Sequence, residues 1–290
     1  MKKNYLEFGI FSGGKKKRYE IKKGNLYDWY MLPRYFNDIF ILDRFKKTKN
    51  INKLSKLLHH KEDLKFNLIN FILLKISKSK SFYEYGQTLY EKIFFIKFFS
   101  NFLKTTFNYN INWYGNDISE LFNFFCNNFY KHLKIHTFKK FDIKKVDKTV
   151  FFAKGVTLLY LRNNSLLLKN IINKSNCGSF DISLTKNKTN FYLNTGKKLY
   201  FPNSQNFLKM LEESNKKIIV KNFSVDKKNK IYLEIIYGNE SLIRNFKIYY
   251  QKLNIKFKNN PTLLRILGLN FKLYDLKDIK IKTLKKIKTL

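Results

Sequence analysis

Cysteine is nearly missing from this chain. Its 290 residues include only Cys126 and Cys177, far apart and without CxxC spacing. That excludes a disulfide framework and a structural zinc site, and a reducing cytoplasm is the simplest setting. Long apolar runs are missing too. Leu68 to Leu74 and Ile93 to Leu103 are too short, or too interrupted by Lys and Asn, to cross a bilayer, so no transmembrane segment is expected. The amino terminus passes from Lys2 and Lys3 through Glu7, Gly9 and Gly13 into the basic run Lys15 to Arg18, without the apolar segment of a signal peptide. Ala and Gly are scarce. No Walker loop, nucleophile elbow or zinc-protease signature occurs.

What is present is apolar, aromatic and basic. A hydrophobic fraction of 44% is enough for a packed core, and 18% of residues are aromatic. Lys, Asn, Ile, Phe and Tyr dominate, and all five can be written with A- and T-rich codons. Acidic residues number 21 against 58 Lys and Arg, a formal charge of +37. Such a charge normally points to nucleic acid or an anionic membrane surface. Here the cations are almost all Lys, spread along the whole length between apolar residues, where solvated charge is expected. The exception is the amphipathic basic stretch from Leu276, where Ile279, Ile281, Leu284, Ile287 and Leu290 alternate with Lys. An RNA-binding or ribosome-associated basic protein without enzymatic activity therefore stands as the alternative reading.

The apolar spacing divides the chain into three parts: a basic arm and helical cap over 1–78, an α/β domain over 79–239, and a basic helical extension over 240–290. Residues 1–24 read as loop. Helices are expected over 26–45, 52–58 and 61–76. After the polar break at 77–81, strands at 82–85, 110–114, 135–138, 149–153 and 179–184 alternate with helices at 87–105, 119–133 and 165–174. Ser119 and Glu120 are well placed to start the second of these helices. Strands joined by crossover helices imply a parallel sheet. A helix at 204–213 then leads to strands at 217–223 and 231–237. The link between those two strands is too short for a crossover, so they should pair as a hairpin. The expected fold is a Rossmann-like, mostly parallel sheet ending in an antiparallel hairpin, with an N-terminal helical extension.

Three strand ends carry candidate chemistry, because ligands of open α/β sheets bind outside the carboxyl ends of the strands. Gly86 follows the first strand in Phe82-Tyr83-Glu84-Tyr85-Gly86, where it either lets a cofactor approach the backbone or makes a tight turn. Asp117, in Gly115-Asn116-Asp117-Ile118-Ser119, either accepts both hydroxyls of a ribose or is an ordinary turn residue. Gly155 follows the fourth strand in Ala153-Lys154-Gly155-Val156, opening toward a ligand crevice or making a routine turn.

Together these segments resemble the class I S-adenosylmethionine-dependent methyltransferases, particularly their sugar-pathway type, over about 160 residues. Glu84 to Gly86 is similar to the family's first motif and Asn116 to Ser119 to its second. Ala153 to Leu161 is similar to a segment often written Ser-x-Gly-Val-Leu-His-Tyr-Leu. The resemblance implies S-adenosylmethionine as cofactor, held by Glu84, Gly86, Asp117, Ile118, Gly155 and Val156, and a small-molecule methyl acceptor such as a sugar of surface-polysaccharide synthesis. Four positions in two segments depart from the pattern. Gln87, Thr88 and Leu89 stand where the family has further glycines, which narrows the path for the methionine part, and Leu159 stands where it has His. No catalytic residue and no metal ligand is assigned. His59 and His60 would point to different helix faces, His132 and His136 flank a helix end, and Glu62, Asp63, Glu212 and Glu213 read as solvated. Methyl transfer needs little acid–base machinery, since positioning supplies most of the catalysis.

Overall fold

The computed structural model describes residues 5–8, 17–20, 62–86, 89–108, 110–117, 123, 134–138, 140–187, 189–192, 198–226 and 230–279. The helices expected over 26–45, 52–58 and 119–133, and the basic stretch beyond 279, lie largely or wholly outside them. Residues 1–24 do not form only loop. β1 (Tyr5–Phe8) and β2 (Lys17–Glu20) pair antiparallel, with Glu7 opposite Arg18.

The central sheet has eight strands in the order β5-β4-β3-β6-β7-β11-β10-β12. β3 (Ser81–Tyr85), β4 (Asn112–Asn116), β5 (Ile135–Phe138), β6 (Val150–Ala153) and β7 (Cys177–Leu184) are mutually parallel. The chain steps outward from β3 to β4 and β5, then returns to the other side of β3 to make β6. After β7 it forms a two-stranded ribbon, β8 (Thr189–Tyr192) with β9 (Lys198–Phe201). It then overshoots one place to lay down β10 (Lys217–Val225) and doubles back as β11 (Ile231–Gly238), filling the gap between β7 and β10. The expected hairpin is therefore present and β11 is antiparallel to its neighbours. A second reversed strand also occurs: β12 (Tyr274–Asp275) pairs antiparallel with β10, so the sheet is reversed at two places.

Both faces of the sheet are buried, which explains the near-continuous apolar runs of its strands. On one face Phe82, Trp113, Val150, Phe152, Cys177, Ile219 and Ile236 pack against four helices. These are α1 (Glu62–Ser77), α2 (Leu89–Leu103), α6 (Glu240–Lys256) and α7 (Pro261–Leu267). On the other face Tyr83, Phe151, Phe180, Ile182, Leu233 and Ile235 pack against α4 (Asn164–Lys174) and α5 (Ser204–Glu212). Between β6 and α4 lies a one-and-a-half-turn helix, α3 (Gly155–Leu159), and a 3-10 turn (Ile143–Val146) precedes β6.

α1 is apolar over most of its surface because it is enclosed over most of it, with Lys65 and Lys75 at partly exposed positions. Leu64, Phe66, Leu68, Ile69, Phe71, Ile72, Leu73 and Leu74 are each at most 5% exposed, and the helix belongs to the same core as the sheet. It therefore packs into the α/β unit instead of standing in front of it as a cap. α6, within the basic helical extension expected over 240–290, likewise buries Ile243, Phe246, Tyr250 and Leu253 in that core. Asn, abundant in this sequence, starts the later helices. The side chains of Asn203, Asn239 and Asn260 accept from backbone N–H groups at the first turns of α5, α6 and α7.

Candidate functional site

The reversal of strand order between β3 and β6 sets the switch-point crevice of the topology at the carboxyl ends of the two strands, the place where open α/β sheets take ligands. The ends of β3, β4 and β5 are laced together there. Gly86 N–H donates to Asn116 O at 3.0 Å, and Asp117 N–H donates to Phe138 O at 3.1 Å. β4 sits two residues later than its sequence pattern predicts. Gly115 thus lies inside the strand, and Asp117 directly follows its end. Asp117 is 9% exposed, and its main-chain oxygen accepts from Asn123 Nδ2 at 3.0 Å. Burial, and secondarily the nearby Asp117 carboxylate, pushes the Tyr85 hydroxyl up to about 12.

Gly86 has φ +68°, the left-handed region that glycine occupies without strain. It also has no room for a side chain. A Cβ built there would meet Thr157, at 2.8 Å from Oγ1 and 2.9 Å from Cβ, with the Thr157 methyl nearer still. The crevice between β3 and α3 is thus bridged by contact between these two residues.

Gly155 lies on the far side of the same edge, two strands from Asp117, a separation of about 10 Å at the usual strand spacing. Its lack of a side chain serves the approach of β7: a Cβ there would lie 2.6 Å from Asp181 O and 2.8 Å from Asp181 Oδ2. Its N–H donates to Asp181 Oδ1 at 2.8 Å. Glu84 points beneath α2, where it is 1% exposed and lies 3.6 Å from Lys92 Nζ. The Lys92 ammonium also sits 4.4 Å from the Phe152 ring centroid. Ile118 lies outside the described residues, and of Val156 only the helical backbone is described. Leu159, at the position of the family's His, is buried in the second core.

Three polar residues at this edge have no counterpart in the sequence reading: Thr157, Lys92 and Asp181. Asp181 faces Glu234 across the β7–β11 ladder. Burial pushes Asp181 up to about 6; the Gly155 N–H opposes that shift and the Glu234 charge adds to it. Glu234 in turn pairs with Lys221 at 3.1 Å. Burial lowers the Lys221 ammonium from its ordinary range. A signal was available: Asp181 and Glu234 are the single charges of β7 and β11, and Lys221 lies in the interior of β10, all in strands otherwise apolar enough to be buried, and such charges are normally paired. Among the described residues no three His, Cys, Asp or Glu side chains group as metal ligands. No helix there is long and apolar enough to cross a membrane.

Five parallel strands reversed in order between β3 and β6, followed by an inserted antiparallel strand, define a Rossmann-like fold of the class I methyltransferase type. Solved structures with overlapping folds include the N-terminal domain of EvdMO1 with S-adenosylhomocysteine and D-fucose, at 9% identity and TM-score 0.45, covering 63% of this chain and 84% of that one. An O-methyltransferase from a trans-AT polyketide synthase of Brevibacillus brevis, bound to S-adenosylhomocysteine, is 14% identical at TM-score 0.39, covering 88% and 81%. The magnesium protoporphyrin IX methyltransferase of Synechocystis with bound S-adenosylmethionine is 10% identical at TM-score 0.35, covering 69% and 96%. No protein-family model matches the sequence, and no curated protein matches it. The fold assignment rests on the strand order itself, independently of these overlaps.

Proposed function

We propose that this chain binds S-adenosylmethionine at the β3–β6 crevice and transfers its methyl group to a small-molecule acceptor. The observation that supports this most is the joining of the Gly86 turn to the end of β4, which brings Asp117 to the rim of the switch crevice in a sheet of methyltransferase order. The residues suit the nucleoside half of the cofactor. Asp117 would accept from the ribose hydroxyls, and Phe138, half-buried at the end of β5, offers an apolar surface beside it for a purine. The cofactor, when bound, supplies a methyl group already activated on a sulfonium. Binding and orienting it, and keeping water away, is what remains for the protein. The RNA-binding alternative gains no specific feature from the fold, and Lys92 and Lys221 are spent inside it. A sugar as acceptor is carried by the family resemblance of the three strand-end segments alone.

Titration calorimetry with S-adenosylmethionine and S-adenosylhomocysteine tests the reading. Binding in the micromolar range is expected, and silence at millimolar ligand rejects it. Asp117→Ala removes an acceptor of two charge-assisted hydrogen bonds and should weaken binding about tenfold to a hundredfold. An unchanged affinity takes Asp117 out of the site.

A further inference from the structure

The contact between Gly86 and Thr157 lies inside the crevice that the fold reserves for a ligand. We infer that Thr157 sets the length of ligand this site accepts: an adenine nucleoside enters freely, whereas the amino-acid tail of a longer cofactor enters only by displacing the Thr157 side chain. This rests on the reading of the site given above. A ribose held at Asp117 has two limbs. The purine goes toward β5, where Phe138 is half-buried. The 5′ chain must then run the other way, past the turn at Gly86 toward α3, because β3 and β6 are the next strands in the sheet. That passage is where the Thr157 methyl and hydroxyl abut Gly86, close enough that even one added carbon is excluded. Thr157 is partly exposed on a helix of only five residues, whereas the next two residues, Leu158 and Leu159, are anchored in the core. Among the described residues the obstruction is therefore one side chain on a fixed support.

Calorimetry with adenosine and with S-adenosylhomocysteine, on the wild type and on Thr157→Ala, Thr157→Ser and Thr157→Val, tests this. In the wild type the tail should add little, so the two ligands should bind within about tenfold of each other. Thr157→Ala should tighten S-adenosylhomocysteine about tenfold while adenosine stays within about twofold. Thr157→Val keeps the shape and should behave as the wild type. Thr157→Ser loses only the methyl and should fall between; it serves as the probe if the alanine variant is poorly folded. The inference is overturned if the wild type already prefers S-adenosylhomocysteine by about a hundredfold, or if the smaller side chains leave its affinity unmoved or shift both ligands alike. If neither ligand binds the wild type at millimolar concentration, the cofactor reading itself has failed, a different result from either.

Discussion

Asp181 shows how a single residue ties the site to the stability of the fold. Its carboxyl lies between Gly155 N–H and Glu234, with its pKa raised to about 6 from an ordinary 3.8, mainly by burial. Between those two values the folded state holds a proton that the unfolded chain has released, so this group's contribution to stability falls as pH rises through the window. Asp181→Asn keeps an oxygen to accept from Gly155 and removes the charge. The variant should be more stable than the wild type by about 2 kcal/mol at pH 7.5, with the advantage gone near pH 4. Urea unfolding at the two pH values measures this, and an advantage that is equal at both would show that the charge is not the cause. Lys221 and Glu234 are a different case, since each compensates the other. A charge embedded in apolar sequence was readable as a paired charge, but its partner was not, because the pairing depends on strand order.

The turn after β3 is the element in which two constraints coincide. Gly86 needs a positive φ, and its outer side is taken by Thr157. Gly86→Ala should cost about 2–3 kcal/mol, combining backbone strain with the clash. Adding Thr157→Ala should recover the part of the clash due to the methyl and hydroxyl, leaving about 1 kcal/mol from φ together with the remaining close approach of Thr157 Cβ at 2.9 Å. Chemical denaturation of the single and double variants separates the two, and full recovery would mean that the φ carries no cost. Most strands were legible in sequence because β-branched and aromatic runs are enclosed between two helical layers. β4 came out two residues late because Ile111 and Trp113 are both buried, and the apolar pattern alone does not say which begins the ladder. The β8–β9 ribbon and α7 were not expected although each had local cues: β-branched and aromatic residues in Thr189 to Tyr192, and Asn260-Pro261 followed by Gly268 for a capped helix. Of the site, the strand ends could be read, but the contact across them could not. Gly86 and Thr157 are 71 positions apart and meet only through the order of the sheet.

For the whole molecule, the enclosed α1 decides what counts as the folding unit. A division at 78 and 239 looks natural in the sequence, where the period of the apolar residues changes. In the structure α1 and α6 cover one face of the sheet, and eight apolar residues of α1 alone are almost fully buried. Their burial is worth on the order of 15 kcal/mol before the cost of ordering the chain, as much as the net stability of a typical domain. A fragment spanning 79–239 should therefore fail to fold, showing neither sharp near-ultraviolet dichroism nor a cooperative urea transition. A cooperative fragment would return α1 to the status of an appendage.

The insertion of β11 between β7 and β10 also bears on how the protein is made. Before β11 docks between them, β7 and β10 each present a row of unpaired backbone groups to whatever is near. Until the returning strand occupies that slot, the nascent chain carries two open edges of highly apolar sequence, the condition under which neighbouring chains zip together. The same doubling back that gives the sheet its reversed strand leaves a vulnerable interval in its biogenesis. The Lys-rich segments along the rest of the chain, by keeping nascent copies apart through like charge, are suited to covering that interval.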